Sequence, residues 1–306
     1  MIPSSTGEPL QDLIFCGPEL QTAVDLEEAR AYCISLACRH YENFSVLTRI
    51  LPRDVRTHFA ALYAFCRWAD DLADETAPDD ALPLLEWWEN SLNETYNNPS
   101  RAIHPVFVAL RETVRQFEMP KSLFSDLISA FRQDQIRKEY ETRAELLDYC
   151  TRSANPVGRM ILHLARCTDA ESLAQSDAVC TGLQLANFWQ DAARDWTEKG
   201  RRYVPREDME RFSCSLTDFR EQRETAEFLA LMAEETAWAE TFFERGKPLS
   251  RRVPRTFRIP VRLFRSGGIA ILNEIRNDGF HVLRKRPKLN RWKKLWLLLC
   301  AVCFGN

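Results

Sequence analysis

Apolar residues recur at intervals of three and four along almost the whole chain, and this spacing limits the folds available to it. Representative positions are Val106, Phe107, Leu110, Val114, Phe117, Leu123, Leu127, Ala130 and Phe131. Such intervals place apolar side chains on one face of an α-helix, whereas a half-buried strand needs strict alternation, which is nearly absent here. We therefore expect an all-α protein.

Prolines and glycines divide this pattern into separate helices. The expected helices span residues 25–39, 53–74, 79–95, 104–117, 121–138, 143–166, 171–197, 216–245 and 258–284. No break is long enough to separate two domains, and 45% hydrophobic residues suffice for a substantial core. We expect an N-terminal extension at 1–24, one domain at 25–285, and a basic and apolar tail at 286–306.

The chain start and the cysteines indicate a cytoplasmic protein. The first 20 residues contain neither a basic region nor a long apolar run, so they do not resemble a secretory signal. Most of the ten cysteines lie within apolar helical patterns, which suits buried, reduced thiols better than a disulfide framework.

Positive charge is concentrated near the C-terminus. From Lys247 to Lys294 there are 15 Lys or Arg and two acidic residues, a local charge of +13 in a chain whose net charge is -3. This stretch is either a solvated basic surface or a patch for lipid headgroups or phosphates. The apolar run at 295–304 is too short to span a bilayer but long enough to lie in its interface, or to dock on the domain. We expect peripheral contact with the cytoplasmic membrane face.

Two acidic stripes lie within the predicted helices. The first, in YAFCRWADDLADE, consists of Tyr63, Arg67, Asp70 and Asp74. The second, in GLQLANFWQDAARD, consists of Gln184, Asn187, Asp191 and Asp195. Residues at these spacings share a helix face, so each stripe stacks two like charges one turn apart. This repulsion costs about 0.2–0.5 kcal/mol on an exposed helix, and a bound cation would offset it.

A single pair of carboxylates at this spacing is usually a solvated helix face. Two pairs, each with amide or guanidinium groups on its own stripe, favour Mg²⁺, which binds through one or two carboxylates, water and substrate phosphate. If the stripes face each other across a bundle, they would hold a diphosphate at the rim of an apolar cavity. The expected ligand is a lipid diphosphate.

Six stretches give the sequence a family resemblance. They are HYENFSVLTRILP, LYAFCRWADDLADE, FRQDQ, LLDYCTRSANPVG, LQLANFWQDAARDW and GRRYVP. Over about residues 30 to 285 the chain resembles the squalene and phytoene synthases, the head-to-head prenyl diphosphate synthases. HYENF, RSANPVGR and NFWQD most resemble the bacterial hopanoid-pathway branch, the hydroxysqualene synthases.

The resemblance implies an isoprenoid synthase fold, a single helical bundle around a central cavity, with Mg²⁺ as cofactor. The implied metal ligands are Asp70, Asp74, Asn187, Asp191 and Asp195. The implied diphosphate-binding or cavity-lining residues are His40, Asn43, Tyr63, Arg67, Gln184, Gln190, the flap residues Arg201 and Tyr203, and Arg276. With the four aspartates, Tyr149 is a candidate catalytic residue near the cavity.

The implied reaction converts presqualene diphosphate and water to hydroxysqualene and diphosphate. One alternative is condensation of two farnesyl diphosphates to presqualene diphosphate or squalene, or formation of phytoene from geranylgeranyl diphosphate. A second is a non-catalytic membrane-associated scaffold, although the intact aspartates argue against it. Other hopanoid-pathway enzymes are expected partners, and nucleic acid is not.

Overall fold

The structure is a computed structural model that describes residues 6–19, 24–40 and 51–290. Its helices in this part of the chain are α1 (Pro9–Cys16), α2 (Leu26–His40), α3 (Arg53–Asp74), α4 (Pro78–Asn97), α5 (Pro105–Gln116), α6 (Ser122–Ile136), α7 (Arg143–Ser153), α8 (Asn155–Leu164), α9 (Ala170–Gln190), α10 (Ala192–Lys199), α11 (Arg206–Arg211), α12 (Leu216–Arg220), α13 (Ala226–Gly246), α14 (Leu249–Arg252) and α15 (Arg255–Asn277).

The prediction of an all-α fold is confirmed. The described residues form no β-ladder, and their strand-like pairing is an isolated bridge between Glu139 and Arg202. Helices α2 to α6 begin and end within two residues of the predicted ranges. The intervals between apolar residues, together with the helix-breaking residues, were therefore sufficient to locate these helices.

Later helices are shorter than predicted. The helix predicted at 143–166 is interrupted at Ala154, because Pro156 has no N–H to donate and fits only the first turn of a new helix. The helix predicted at 171–197 is interrupted at Asp191, which separates α9 from α10. The helix predicted at 216–245 is interrupted between α12 and α13, and the last predicted helix ends at Asn277 rather than 284.

The chain divides into two compact units. The first contains the residues up to Ile136 and Met160–Cys167. Helix α3 is its centre, and α1, α2, α4, α5 and α6 all pack against it. The buried ring of Phe65 contacts those of Trp88, Phe107 and Phe124 at centroid distances of 5.7, 6.1 and 4.9 Å. Burying one such ring contributes about 1.5–3 kcal/mol, so this cluster fixes the buried face of α3.

The second unit contains Arg137–Arg159 and the residues from Thr168 onward. Helix α9 is its centre and packs against α7, α13 and α15. At Gly268 a Cβ atom would lie 2.3 Å from the ring of Phe243, so only glycine permits this approach of α15 to α13. The unit thereby holds α9, which carries the second acidic stripe, in a fixed position.

Two further features concern the described residues only. Their cysteines form no disulfide, in agreement with reduced thiols. None of their helices combines the length and the hydropathy needed to cross a membrane.

Candidate active site

The first acidic stripe lies on the C-terminal half of α3, in the first unit. Tyr63, Arg67, Asp70 and Asp74 are all half-buried. The guanidinium of Arg67 lies 3.5 Å from the carboxylate of Asp70 and forms an ion pair with Asp71. Arg67 is thus oriented by two neighbouring carboxylates.

Asp71 lies beside the stripe and is 2% exposed. Burial raises the pKa of Asp71 to about 7, although the positive charge of Arg67 opposes this rise. Burial likewise raises the pKa of Tyr63 to about 12, with Arg67 opposing and Asp70 and Asp71 adding to the rise. The Tyr63 hydroxyl therefore keeps its proton at neutral pH and is able to donate a hydrogen bond.

The second acidic stripe crosses the junction between α9 and α10, in the second unit. Gln184, Asp191 and Asp195 are half-buried, and Asn187 is exposed. The N–H of Asp191 donates to the carbonyl of Asn187 at 2.9 Å, and the N–H of Asp195 donates to the carbonyl of Asp191 at 2.8 Å. These bonds keep the four-residue repeat through the junction. The oxygen-bearing side chains of Asn187, Asp191 and Asp195 consequently lie on consecutive turns.

A residue that the sequence did not indicate occupies this stripe. Arg286, in the segment after α15, donates to both carboxylate oxygens of Asp191, with an Nη2–Oδ2 distance of 2.9 Å. The amide of Gln190 donates to the carbonyl of Pro287 at 2.6 Å. Arg286 was one of 15 basic residues in the stretch from Lys247 to Lys294, and nothing in their spacing distinguished it.

The predicted flap residues Arg201 and Tyr203 lie in the loop between α10 and α11, and both are buried. Gly200 ends α10 in the left-handed conformation, with φ of 62°. This conformation directs the N–H of Arg201 to the carbonyl of Asp195, at 2.8 Å. The loop is therefore attached to the second stripe at its first residue.

The same loop runs beside the residues that precede α7. The N–H of Arg202 donates to the carbonyl of Lys138 at 2.8 Å, and the N–H of Arg206 donates to that of Tyr140 at 2.9 Å. The buried guanidinium of Arg202 also pairs with Glu139, at 2.8 Å. The loop is thus anchored along most of its length.

Four buried aromatic rings meet next to the second stripe. Tyr203 stacks on Phe188 with the ring centroids 3.8 Å apart and the planes at 9°. Tyr149 lies 6.0 Å from Tyr203, and Tyr140 lies 5.9 Å from it. Tyr149 was predicted near the site from the resemblance, whereas Tyr140 lies in a connecting segment without helical periodicity to mark it.

The donor set of the stripes fits a hard cation. Each stripe offers two carboxylates, and the second adds an amide, so every candidate ligand atom is an oxygen. Among the described residues no three His, Cys, Asp or Glu side chains converge on one point. Mg²⁺ usually takes one or two carboxylates and fills its shell with water and substrate phosphate, so two carboxylates per stripe meet its needs.

The remaining predicted residues lie elsewhere. Arg276 is exposed on α15, pairs with Glu240 at 2.8 Å and donates to Asn273 at 2.7 Å. His40 is the last residue of α2, and its side chain is outside the description. Asn43 and the tail residues 291–306 also lie outside the described residues. The roles of these residues stay predictions.

The helical fold and the two aspartate stripes define an isoprenoid synthase fold. A profile of the squalene/phytoene synthase family matches residues 37–293. The chain belongs to this family, which confirms the resemblance inferred from the six sequence stretches.

Individual relatives include several members of the family. A hydroxysqualene synthase of Sinorhizobium fredii is 32% identical over 225 residues, which cover 73% of this chain and 75% of that protein. A 15-cis-phytoene synthase of Synechocystis sp. is 29% identical and covers 97% of this chain and 92% of its own. The crystal structure of squalene synthase HpnC from Alicyclobacillus acidocaldarius is 41% identical, covers 83% and 95% of the two chains, and superposes with a TM-score of 0.79.

Proposed function

We propose that this chain is a Mg²⁺-dependent hydroxysqualene synthase that converts presqualene diphosphate and water to hydroxysqualene and diphosphate. The observation that carries this proposal is that oxygen ligands and stacked aromatic rings occupy the same short segment. Asn187 and Asp191 flank Phe188 in sequence, and the ring of Phe188 stacks on Tyr203. A substrate with an anionic head and a reaction through a carbocation needs both kinds of group close together.

The binding step assigns roles to the polar residues. Mg²⁺, when bound, would neutralise the charge of the diphosphate and favour its departure. The residues that would hold it are Asp70, Asp74, Asn187, Asp191 and Asp195. Arg67 and the Tyr63 hydroxyl would donate to remaining diphosphate oxygens, because both are half-buried on the first stripe and carry donors at neutral pH.

The aromatic rings would act on the carbocation. Loss of diphosphate leaves a cyclopropylcarbinyl cation, which rearranges; water then adds its oxygen and releases a proton, giving hydroxysqualene. Each well-placed ring contributes about 1 kcal/mol or more to a desolvated cation. Tyr149, Phe188 and Tyr203 are buried and packed, so they would form a preorganised wall that also limits access of bulk water.

A second candidate reaction uses the same site residues but acts on a different substrate. It condenses two farnesyl diphosphates to presqualene diphosphate, and to squalene where a reduced nicotinamide supplies hydride, or it forms phytoene from geranylgeranyl diphosphate. The similarity to a phytoene synthase over 97% of this chain favours this candidate. A catalytically inactive scaffold is the third candidate.

Product analysis distinguishes the three candidates. Purified protein is incubated with Mg²⁺ and either presqualene, farnesyl or geranylgeranyl diphosphate, with and without NADPH as hydride donor, and the extracted lipids are analysed by mass spectrometry. We expect hydroxysqualene from presqualene diphosphate and no product from the other two. If farnesyl or geranylgeranyl diphosphate instead gives presqualene diphosphate, squalene or phytoene, the result contradicts the first candidate reaction and supports the second. If no substrate is turned over and ligand binding does not depend on Mg²⁺, the result supports the third candidate, an inactive scaffold.

Substitution of the stripe aspartates tests the metal assignment. Asp70→Ala and Asp191→Ala each remove one carboxylate ligand, so we expect turnover to fall by roughly two to three orders of magnitude at an unchanged fold. The matched control is Asp177→Ala, because Asp177 on α9 accepts a two-point contact from Arg159 just as Asp191 does from Arg286. Equal turnover in Asp191→Ala and Asp177→Ala would contradict the assignment.

A further inference from the structure

A buried group of charged residues lies behind the second stripe. We call Arg143 on α7, Asp208 on α11 and Glu235 on α13 the Arg143 cluster. The guanidinium of Arg143 donates from Nε to Asp208 at 2.8 Å and from Nη2 to Glu235 at 3.0 Å. The side chain of Glu235 is fully buried, and that of Asp208 is 4% exposed. The cluster joins three helices through side-chain contacts.

The surroundings of the cluster reinforce it. Arg143 lies over the ring of Trp238 at 4.4 Å, and its backbone N–H donates to Glu207 at 2.7 Å. Arg211 pairs with Asp208 at 3.1 Å and with Glu234 at 3.2 Å. Glu234 also lies 3.5 Å from Arg143, but its side chain is 41% exposed. The charged groups around Glu235 are thus Arg143 and Asp208 directly, with Glu234 and Arg211 at the solvent edge.

The cluster is connected to the candidate site by two routes. Asp208 lies in α11, which directly follows the loop that carries Arg201 and Tyr203. The backbone carbonyl of Glu235 accepts the indole N–H of Trp189 at 3.1 Å. Trp189 is fully buried and stands two residues before Asp191. Glu235 therefore contacts the end of α9 through its backbone carbonyl. Its side chain is linked to α11 through Arg143, which binds both Glu235 and Asp208.

We propose that the Arg143 cluster is a positioning cluster, which holds α11, the loop between α10 and α11, and the end of α9 in one arrangement and so keeps Tyr203 stacked on Phe188 beside the second stripe. This inference rests on the proposed function for its effect on turnover. Its effect on the loop is independent of which reaction the protein performs. The residues of the cluster are neither candidate metal ligands nor members of the stacked rings, so the role that we assign to them is positional.

The geometry favours the neutral form of Glu235. Asp208 and Glu235 share the guanidinium of Arg143, but Arg211 also pairs with Asp208, so Asp208 is the better compensated carboxylate. Oε2 of Glu235 receives no hydrogen bond from the described residues. A proton on that carboxyl group resolves the conflict by donating to Asp208. Burial raises the pKa of Glu235 to about 8, with Arg143 opposing and Asp208 adding to the rise. Above that pH, repulsion between Glu235 and Asp208 should loosen the loop.

The test compares Glu235→Gln with Glu234→Gln. Glutamine reproduces the neutral acid and removes the titration, whereas Glu234→Gln changes the adjacent, exposed carboxylate. Hydrogen–deuterium exchange of residues 200–211 is followed at pH 7 and pH 9 and corrected for intrinsic exchange rates. We expect wild type and Glu234→Gln to exchange several-fold faster at pH 9, and Glu235→Gln to exchange equally at both values.

Turnover is measured on the same variants. We expect Glu235→Gln to retain kcat/KM near the wild-type value at pH 7 and to lose the decline above about pH 8, and Glu235→Ala to lose roughly ten- to hundred-fold. Identical pH dependence of exchange in wild type and Glu235→Gln would overturn the proposal, even if Glu235→Ala failed to fold. The expected exchange pattern without turnover of any prenyl diphosphate would support the cluster and contradict the proposed function.

Discussion

At Asp191, the guanidinium of Arg286 occupies both oxygens that a cation would otherwise contact. This contact offsets the repulsion that the sequence predicts between Asp191 and Asp195. Arg67 has a comparable position on the first stripe, 3.5 Å from Asp70. In both stripes an arginine thus neutralises a carboxylate that is a candidate Mg²⁺ ligand, and a cation must compete with it.

The residue-scale prediction concerns this competition. We expect Arg286→Gln to bind Mg²⁺ about three- to ten-fold more tightly in the absence of substrate, because the cation no longer has to displace the guanidinium from Asp191. A charge-assisted pair contributes roughly 1.5–3 kcal/mol when buried, and partial solvent exposure lowers this contribution, which is why the expected change is modest. Isothermal titration calorimetry measures the affinity. Lys288→Gln, which removes a nearby exposed positive charge, is the control and should change the affinity little. Equal affinities for Arg286→Gln and Lys288→Gln would contradict the competition.

Among the structural elements, the loop between α10 and α11 depends on its first residue. Gly200 adopts φ of 62°, and the next N–H reaches the carbonyl of Asp195 at 2.8 Å. The sequence marked Gly200 as a break between helices. It did not reveal that the break attaches the loop to the second stripe, because that bond depends on the left-handed conformation.

The element-scale prediction tests Gly200 against another glycine. Gly200→Ala should lower the free energy of unfolding by about 1–2 kcal/mol, because alanine is strained in the left-handed region, and Gly200→Asn should cost less. The matched control is Gly267→Ala in α15, where the added Cβ meets no atom within 4 Å. We expect that variant to be more stable than wild type by about 0.5–1 kcal/mol. Chemical denaturation measures all three, and equal effects of alanine at both glycines would contradict the strain.

Across the whole molecule, charge is distributed unevenly. The stretch from Lys247 to Lys294 carries +13, which leaves -16 on the rest of the chain. Ion pairs with acidic side chains neutralise part of this stretch, for example Arg265 with Glu244 at 2.6 Å. We propose that the remaining basic residues, with the apolar residues after Asn290, contact anionic lipid at the cytoplasmic membrane face.

The whole-molecule prediction is salt-dependent binding to anionic vesicles. We expect co-sedimentation with vesicles of phosphatidylglycerol and phosphatidylcholine, weaker binding at high salt, and little binding to phosphatidylcholine alone. A chain that ends at Asn290 should bind at least about ten-fold more weakly, since each basic residue near the surface contributes about 1 kcal/mol. This truncation keeps Arg286 and its contact with Asp191. Undiminished binding of the truncated chain would show that the tail is not the anchor.

Local rules recovered much of the architecture. Periodicity and proline positions located α2 to α6 within two residues, because each of these helices buries one face and is bounded by strong helix breakers. The same rules missed the interruption at Asp191. That junction follows an unbroken helical pattern, and no proline or glycine marks it.

The sequence by itself determined the fold class, the family and the two acidic stripes, because helical periodicity and motif spacing are properties of neighbouring residues. Only the tertiary structure decided that Arg286 contacts Asp191 and that Arg143, Asp208 and Glu235 share one buried cluster. The paired residues lie 95 positions apart in the first case and up to 92 in the second. Contacts over such separations depend on how helices pack, and no local pattern of charges specifies which partners will meet.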